Sequence, residues 1–187
     1  MPKTDRVVFL DRDGTLIHDA HYLTDPAKVR FYAGVPAALR ALRENGFKLV
    51  IVSNQSGIAR GWVSKATVHR IHRRLSLILS RKSRVRFDGI YFCPHAPWDN
   101  CPCRKPEPGL VHQALKRLRL NRREAYIMGD KMIDIHLAKR MGMKGVLVLT
   151  GHGKEEARQC PTLKPELRPD FIARSFSQGV RWILRQR

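Results

Sequence analysis

The sequence is poor in acids and has no long apolar run. Against 36 Lys and Arg it carries only 16 Asp and Glu, a formal net charge of +20 in 187 residues. That imbalance suits anionic partners: phosphate, nucleic acid or an acidic membrane surface. From Asn45 to Phe87 there is no acid at all but there are ten Lys or Arg, clustered between Arg70 and Arg86. No aromatic residue lies between Trp62 and Phe87, so this stretch lacks the stacking surface of a single-strand binder. A solvated helix face is the simpler reading. The longest apolar runs, Val7 to Leu10 and Leu49 to Val52, fall far short of the roughly 18 residues that cross a bilayer, which excludes membrane insertion. Residues 1 to 6 contain no apolar leader, so a cytoplasmic protein is expected. Internal repeats and low-complexity tracts are absent. Cysteine is scarce: three of the four fall within eleven residues, beside a histidine, and Cys160 is left over. In a reducing compartment that clustering favours metal over disulfides.

What the chain does have is 43% hydrophobic residues, enough for one core at this length, and one domain over residues 1–187 is expected, acting as a monomer. Short apolar runs alternate with amphipathic segments, the pattern of strand, crossover helix and strand. Strands are expected at Val7 to Leu10, Lys48 to Val52, Gly89 to Cys93, Ala125 to Met128, Gly145 to Leu149 and, more weakly, Asp170 to Ala173. Helical stripes run through Val35, Leu39 and Leu42, through Ile71, Leu75 and Ile78, and through Leu110, Ala114 and Leu118. Ser64 reads as an N-cap, and Pro108-Gly109 opens the third helix. The fold class is α/β, a largely parallel sheet flanked by helices.

The first strand ends in Asp11-Arg12-Asp13-Gly14-Thr15. Carboxylates at i and i+2 of an extended chain face the same side, and the carboxyl ends of parallel strands are where α/β sheets bind ligands. Asp11 suits a nucleophile that accepts a phosphoryl group, with Asp13 protonating the leaving oxygen and then activating water. The second strand runs into Ser53-Asn54-Gln55-Ser56-Gly57-Ile58-Ala59-Arg60-Gly61, rich in donors for phosphate oxygens. After the fourth strand come Gly129-Asp130-Lys131 and Asp134. Asp11, the Asp13 carbonyl, Asp130, phosphate and waters make an octahedral oxygen set for Mg²⁺. Asp134 reads as an acid complementing a helix dipole and is left outside that set. Cys93, His95, Cys101 and Cys103 form a C-x-H-x₅-C-x-C cluster, a closed set for structural Zn²⁺. Arg104 and Lys105 follow at once, so this loop fixes two cations: Lys105 to neutralise phosphate, Arg104 to contact a further anionic or hydroxyl group.

Taken in order, these segments resemble the four motifs of the haloacid dehalogenase (HAD) phosphatases, over roughly residues 6 to 151. The cysteine loop followed by Arg-Lys-Pro is similar to two subfamilies, heptose 1,7-bisphosphate 7-phosphatases and histidinol-phosphatases, and the Ser53 to Gly61 loop favours the former. The resemblance implies a Rossmann-like HAD fold without a large cap domain, with a zinc loop inserted at 93–108. It implies Mg²⁺-dependent release of the C7 phosphate of D-glycero-D-manno-heptose 1,7-bisphosphate for nucleotide-activated heptose and cell-envelope glycans. Catalytic roles then fall to Asp11, Asp13, Ser53 and Lys105, magnesium to Asp11, Asp13 and Asp130, and zinc to Cys93, His95, Cys101 and Cys103. Substrate contacts fall to Arg12, Asp19, His21, Tyr22, Asn54, Gln55, Ser56, Arg104 and Lys131. The loop after the first strand reads Asp19-Ala20-His21-Tyr22 where the family pattern is Asp-His-Gly-Tyr. The alternatives are a histidinol-phosphate phosphatase, a polynucleotide 3′-phosphatase, and a basic zinc-containing nucleic-acid-binding module without enzymatic activity.

Overall fold

The computed structural model describes residues 6–120 and 124–186. The reading of residues 1–5 as a short lead into the first strand lies outside them. Six strands form one parallel sheet in the order β3-β2-β1-β4-β5-β6: β1 Val7–Leu10, β2 Lys48–Asn54, β3 Gly89–Cys93, β4 Ala125–Gly129, β5 Lys144–Val148 and β6 Phe171–Ala173. In β1 all four residues are fully buried, because helices cover both faces and an inner parallel strand has no solvent side.

Alternation along β1 separates two cores. Val8 and Leu10 pack with Leu39 and Leu42 of α1 (Val35–Glu44), Ile71 and Leu75 of α2 (Lys65–Ser83), and Phe176 and Val180 of α6 (Phe176–Arg185). Val7 and Phe9 face Leu110 and Val111 of α3 (Gly109–Leu118) and Leu137 of α4 (Met132–Arg140). The remaining short helix is α5, Gly153–Glu156. Ser64 caps α2 by accepting from the Thr67 N–H at 3.1 Å, as its place before the periodic segment predicts. Arg70, Arg73, Arg74, Arg81 and Lys82 on α2 are exposed. The basic run is a solvated face, and no helix among the described residues is long and apolar enough to cross a membrane.

The chain winds outward from β1 to β3, then returns to place β4 on the other side of β1. This reversal leaves a crevice beyond the carboxyl ends of β1 and β4. Asp11 follows β1 directly, its N–H donating to the Met128 carbonyl of β4.

Candidate active site

A cavity of about 270 Å³ opens at that crevice, lined by Asp11, Asp13, Ser53, Arg60, Lys105 and Asp134 among others. Lys105 lies at its floor, 3% exposed. Its ammonium donates to Asp11 Oδ1 at 2.7 Å and to Asp134 Oδ1 at 2.6 Å. Burial alone lowers a lysine's pKa, but the two carboxylates outweigh it and hold Lys105 protonated far above the neutral range. The Asn54 side-chain amide brackets the Lys105 backbone, accepting from its N–H at 3.0 Å and donating to its carbonyl at 3.1 Å. Asn54 therefore joins the end of β2 to the lysine. It lines the cavity, yet its amide is turned to the protein as a positioning group.

Asp130 and Asp134 stand on either side of the turn into α4. Asp130 accepts from the Thr15 hydroxyl at 3.1 Å and the His152 N–H at 2.8 Å. Burial, and after it the Asp11 charge, pushes Asp130 up to about 8. Burial likewise raises Asp134 to about 6 in spite of Lys105. Two glycines make room for these acids: a Cβ on Gly14 would meet Asp130 Oδ2 at 2.1 Å, and one on Gly129 would meet Asp134 Oδ2 at the same distance. Oxygens of Asp11, Asp130 and Asp134 all come within 4.8 Å of one another, and the buried Asp134 Oδ2 has no hydrogen-bond partner. Three buried carboxylates against a single ammonium are a donor set for a hard cation. The reading of Asp134 as a helix-dipole acid outside the cluster is thereby corrected. It does occupy the first turn of α4, but its side chain points into the cavity and joins the other two acids.

Asp13 is held differently. Arg12 clasps it, with Nη2 donating to Oδ2 at 2.7 Å and Nε to Oδ1 at 3.0 Å, and the Gln55 amide donates to Oδ2 at 2.9 Å. Burial works to raise the Asp13 pKa, but the Arg12 charge and these hydrogen bonds bring it below the usual carboxylate value. Gln55 also donates to the Ser53 hydroxyl at 2.8 Å, leaving that hydroxyl's own proton available. The remaining arm of Arg12 meets His72 Nε2 at 3.0 Å. A guanidinium only donates, so Nε2 is the acceptor and the His72 proton resides on Nδ1. Arg12 lines the cavity, where a substrate contact is expected from sequence; it is 1% exposed and its donors to Asp13, Gln55 and His72 orient the acid.

His72 is held down to about 3 from an ordinary 6.5, first by burial and then by Arg12, with Asp13 pulling the other way. The folded chain therefore binds fewer protons here than the unfolded one, and stability is lost as pH falls from 6.5 toward 3. His72→Gln is expected to flatten that fall, read as denaturation midpoints at successive pH values; an unchanged slope contradicts the assignment.

The remaining expected contacts line the same cavity: Asp19, His21, Tyr22, Ser56, Arg104 and Lys131. Asp19 accepts from the His21 N–H at 3.0 Å and pairs with His152 at 3.2 Å. His152 and His72 are not singled out by the sequence reading. They come from distant segments, and only the fold brings them to the site. Arg60 belongs to the Ser53–Gly61 loop that the sequence offers for phosphate oxygens, and it lines the cavity with that loop.

Cys93, His95, Cys101 and Cys103 converge beside β3. Their donor atoms lie within 4.8 Å of one another, with Cys103 Sγ 3.5 Å and Cys93 Sγ 3.6 Å from His95 Nδ1. Burial pushes the Cys93 and Cys103 thiols up, so thiolates form at both only with a compensating cation. The loop is tied to β2, with Gln55 N–H donating to the Cys93 carbonyl at 2.7 Å and Ala59 N–H to that of Pro94 at 3.2 Å.

Residues 102–178 match the HAD-like hydrolase family model. The D-glycero-β-D-manno-heptose-1,7-bisphosphate 7-phosphatase of Haemophilus ducreyi is 41% identical over 185 residues, 95% of this chain and 98% of that protein. The chain belongs to the heptose-bisphosphate phosphatase family of HAD-like hydrolases. Its Escherichia coli relative of the same name is 39% identical, covering 81% of this chain and 83% of its own. Among solved structures, the D,D-heptose 1,7-bisphosphate phosphatase from B. bronchiseptica, complexed with magnesium and phosphate, superposes with a TM-score of 0.87 at 28% identity, over 97% of this chain and 99% of that one. The heptose-bisphosphate phosphatase fold thus accounts for the parallel sheet.

Proposed function

We propose that the chain is a phosphoric monoester hydrolase releasing the C7 phosphate of D-glycero-β-D-manno-heptose 1,7-bisphosphate and leaving heptose 1-phosphate. The observation that carries this reading is the 41% identity, over nearly the full length, to an enzyme of that name, in a chain with Lys105 against Asp11 and Asp13 beside them. Lys105 holds Asp11 Oδ1, which leaves Oδ2 to attack phosphorus. A bond forms from Oδ2 to phosphorus as the bond from phosphorus to the C7 oxygen breaks. Asp13 delivers its proton to that oxygen, so the sugar leaves as an alcohol. The incoming phosphate dianion raises Asp13's proton affinity from its depressed value in the free protein. In the second half, Asp13 takes a proton from water, the water oxygen attacks phosphorus, and inorganic phosphate departs while Asp11 regains its carboxylate. Lys105 and the Ser53 hydroxyl stabilise charge on the transferring group.

The orphaned Asp134 oxygen and the crowded acids fit Mg²⁺. Asp11 and Asp130 would hold it, with the Asp13 carbonyl and Asp134 in the same neighbourhood, and it would neutralise phosphate charge. The Cys₃His donor chemistry fits Zn²⁺, which would fix the loop carrying Arg104 and Lys105. Cys101→Ser is expected to lower bound zinc well below one per chain and to lower kcat as well as raise KM, because the loop positions Lys105 beside Asp11 as well as Arg104; full zinc content contradicts the assignment. Arg104, Lys131, Ser56, Asp19, His21 and Tyr22 supply the sugar contacts.

The test is kcat/KM with Mg²⁺, side by side, for both anomers of the bisphosphate, histidinol phosphate and a 3′-phosphorylated oligonucleotide. A large preference for the β-anomer, with one phosphate released per sugar, supports the reading. Preference for either other substrate overturns it.

A further inference from the structure

At the rim of the cavity the Arg60 guanidinium lies between two indoles, 5.0 Å from the ring centroid of Trp62 and 4.6 Å from that of Trp98. Tyr22 meets Trp62 edge-on, 4.5 Å between centroids. These three aromatics are exposed, Trp98 by 63%, so burial of their own surface does not explain their position. The two tryptophans come from different segments. Trp62 ends the turn after β2, where its N–H donates to the Gly57 carbonyl and Arg60 N–H to that of Ser56. Trp98 belongs to the 3₁₀ turn Pro97–Asp99 within the cysteine loop. Arg60 therefore links the loop after β2 to the metal loop.

An arginine held by aromatic faces keeps its charge, whereas one held by a carboxylate has it offset. Lys105 is offset by Asp11 and Asp134, and Arg12 by Asp13. Among the described residues Arg60 forms no ion pair. Its Nε is buried without a hydrogen-bond partner, and the side chain lines the cavity. Arg104 and Lys131 line the same cavity and, among the described residues, also form no ion pair, but of these three cations only Arg60 has aromatic rings to fix it. The site thus presents a braced, planar cation that no carboxylate offsets, apart from the Lys105 ammonium. That is the recognition chemistry of a phosphate rather than of a hydroxyl.

We propose that Arg60, braced by Trp62 and Trp98, is the subsite for the second phosphate of the substrate, the one the product retains. This rests on the bisphosphate reading above. A sugar bisphosphate bears a dianion at each end; Lys105 serves the end that reacts and Arg60 the end that does not. The enzyme then distinguishes bisphosphates from monophosphates of the same sugar through this side chain.

The experiment compares kcat/KM for the β-heptose 1,7-bisphosphate and for heptose 7-phosphate in wild type, R60Q and W98A. Glutamine keeps a planar group that fits between the indoles but removes the charge. The ratio of bisphosphate to monophosphate is expected to fall about tenfold in R60Q, as for loss of one charge-assisted contact, and to fall less, in the same direction, in W98A. An unchanged ratio in R60Q, or an equal loss on both substrates, overturns the subsite. W98A with the wild-type ratio overturns the bracing. A wild type that hydrolyses both substrates equally well overturns the subsite alone, while one that hydrolyses neither overturns the functional reading beneath it.

Discussion

Asp11→Asn is expected to lower kcat by at least about 10⁴-fold, the scale of loss when a covalent nucleophile is removed. The substitution is nearly isosteric, so the fold and the zinc content stay as in the wild type. The amide offers Lys105 an oxygen but no negative charge, and its nitrogen does not attack phosphorus. Far-ultraviolet circular dichroism and metal analysis alongside the kinetics separate loss of chemistry from loss of structure. Activity within tenfold of wild type would rule out Asp11 as the group that accepts the phosphoryl.

Lys105→Met keeps the length of the side chain and removes its charge. It takes the ammonium away from two carboxylates that each lie within 2.7 Å of it. Turnover is expected to fall about 10²- to 10³-fold, the usual effect of deleting one electrostatic stabiliser of a transition state. Stability of the metal-free protein is expected to fall by about 3 kcal/mol, because breaking a buried pair strands the remaining charge. Added Mg²⁺ should restore part of that stability, since a cation replaces the missing one among Asp11, Asp130 and Asp134. Denaturation of the metal-free variant at the wild-type midpoint contradicts this account.

Much of the fold is legible in the sequence because a parallel sheet covered on both faces leaves runs of consecutive apolar residues. β1 and β3 begin and end where those runs do. The ends that differ have local causes. β2 continues through Ser53 and Asn54, polar residues that still pair with Phe92 and Cys93. β5 runs Lys144–Val148, one residue ahead of the expected Gly145 to Leu149: Lys144 pairs with Tyr126, while Leu149 donates to the Ala173 carbonyl just beyond the strand. The spatial order of the strands is not written in any local pattern, and it is this order that brings the end of β1 beside that of β4.

The site divides in the same way. Asp11, Asp13 and the four Cys and His donors are close in sequence, and their spacing alone brings them together. Asp134 is ambiguous in one dimension, since an acid in the first turn of a helix has a sufficient local reason to be there. Only the approach of Lys105 from the metal loop, 29 residues away, reveals that it belongs to the cluster. His72 shows the opposite limit. Its place on the buried face of an otherwise basic helix carries no signal, and its role follows from the Arg12 arm that reaches it across 60 residues.

The most direct test of the account is rapid-quench trapping with the bisphosphate labelled in its C7 phosphate. Quenched in acid within the first turnover, the wild type is expected to carry label on the peptide containing Asp11, with sugar 1-phosphate released in equal amount, while Asp11→Asn carries none. Inorganic phosphate appearing at the full rate of sugar release, with no labelled protein at any time, would contradict a phosphoryl group passing through Asp11.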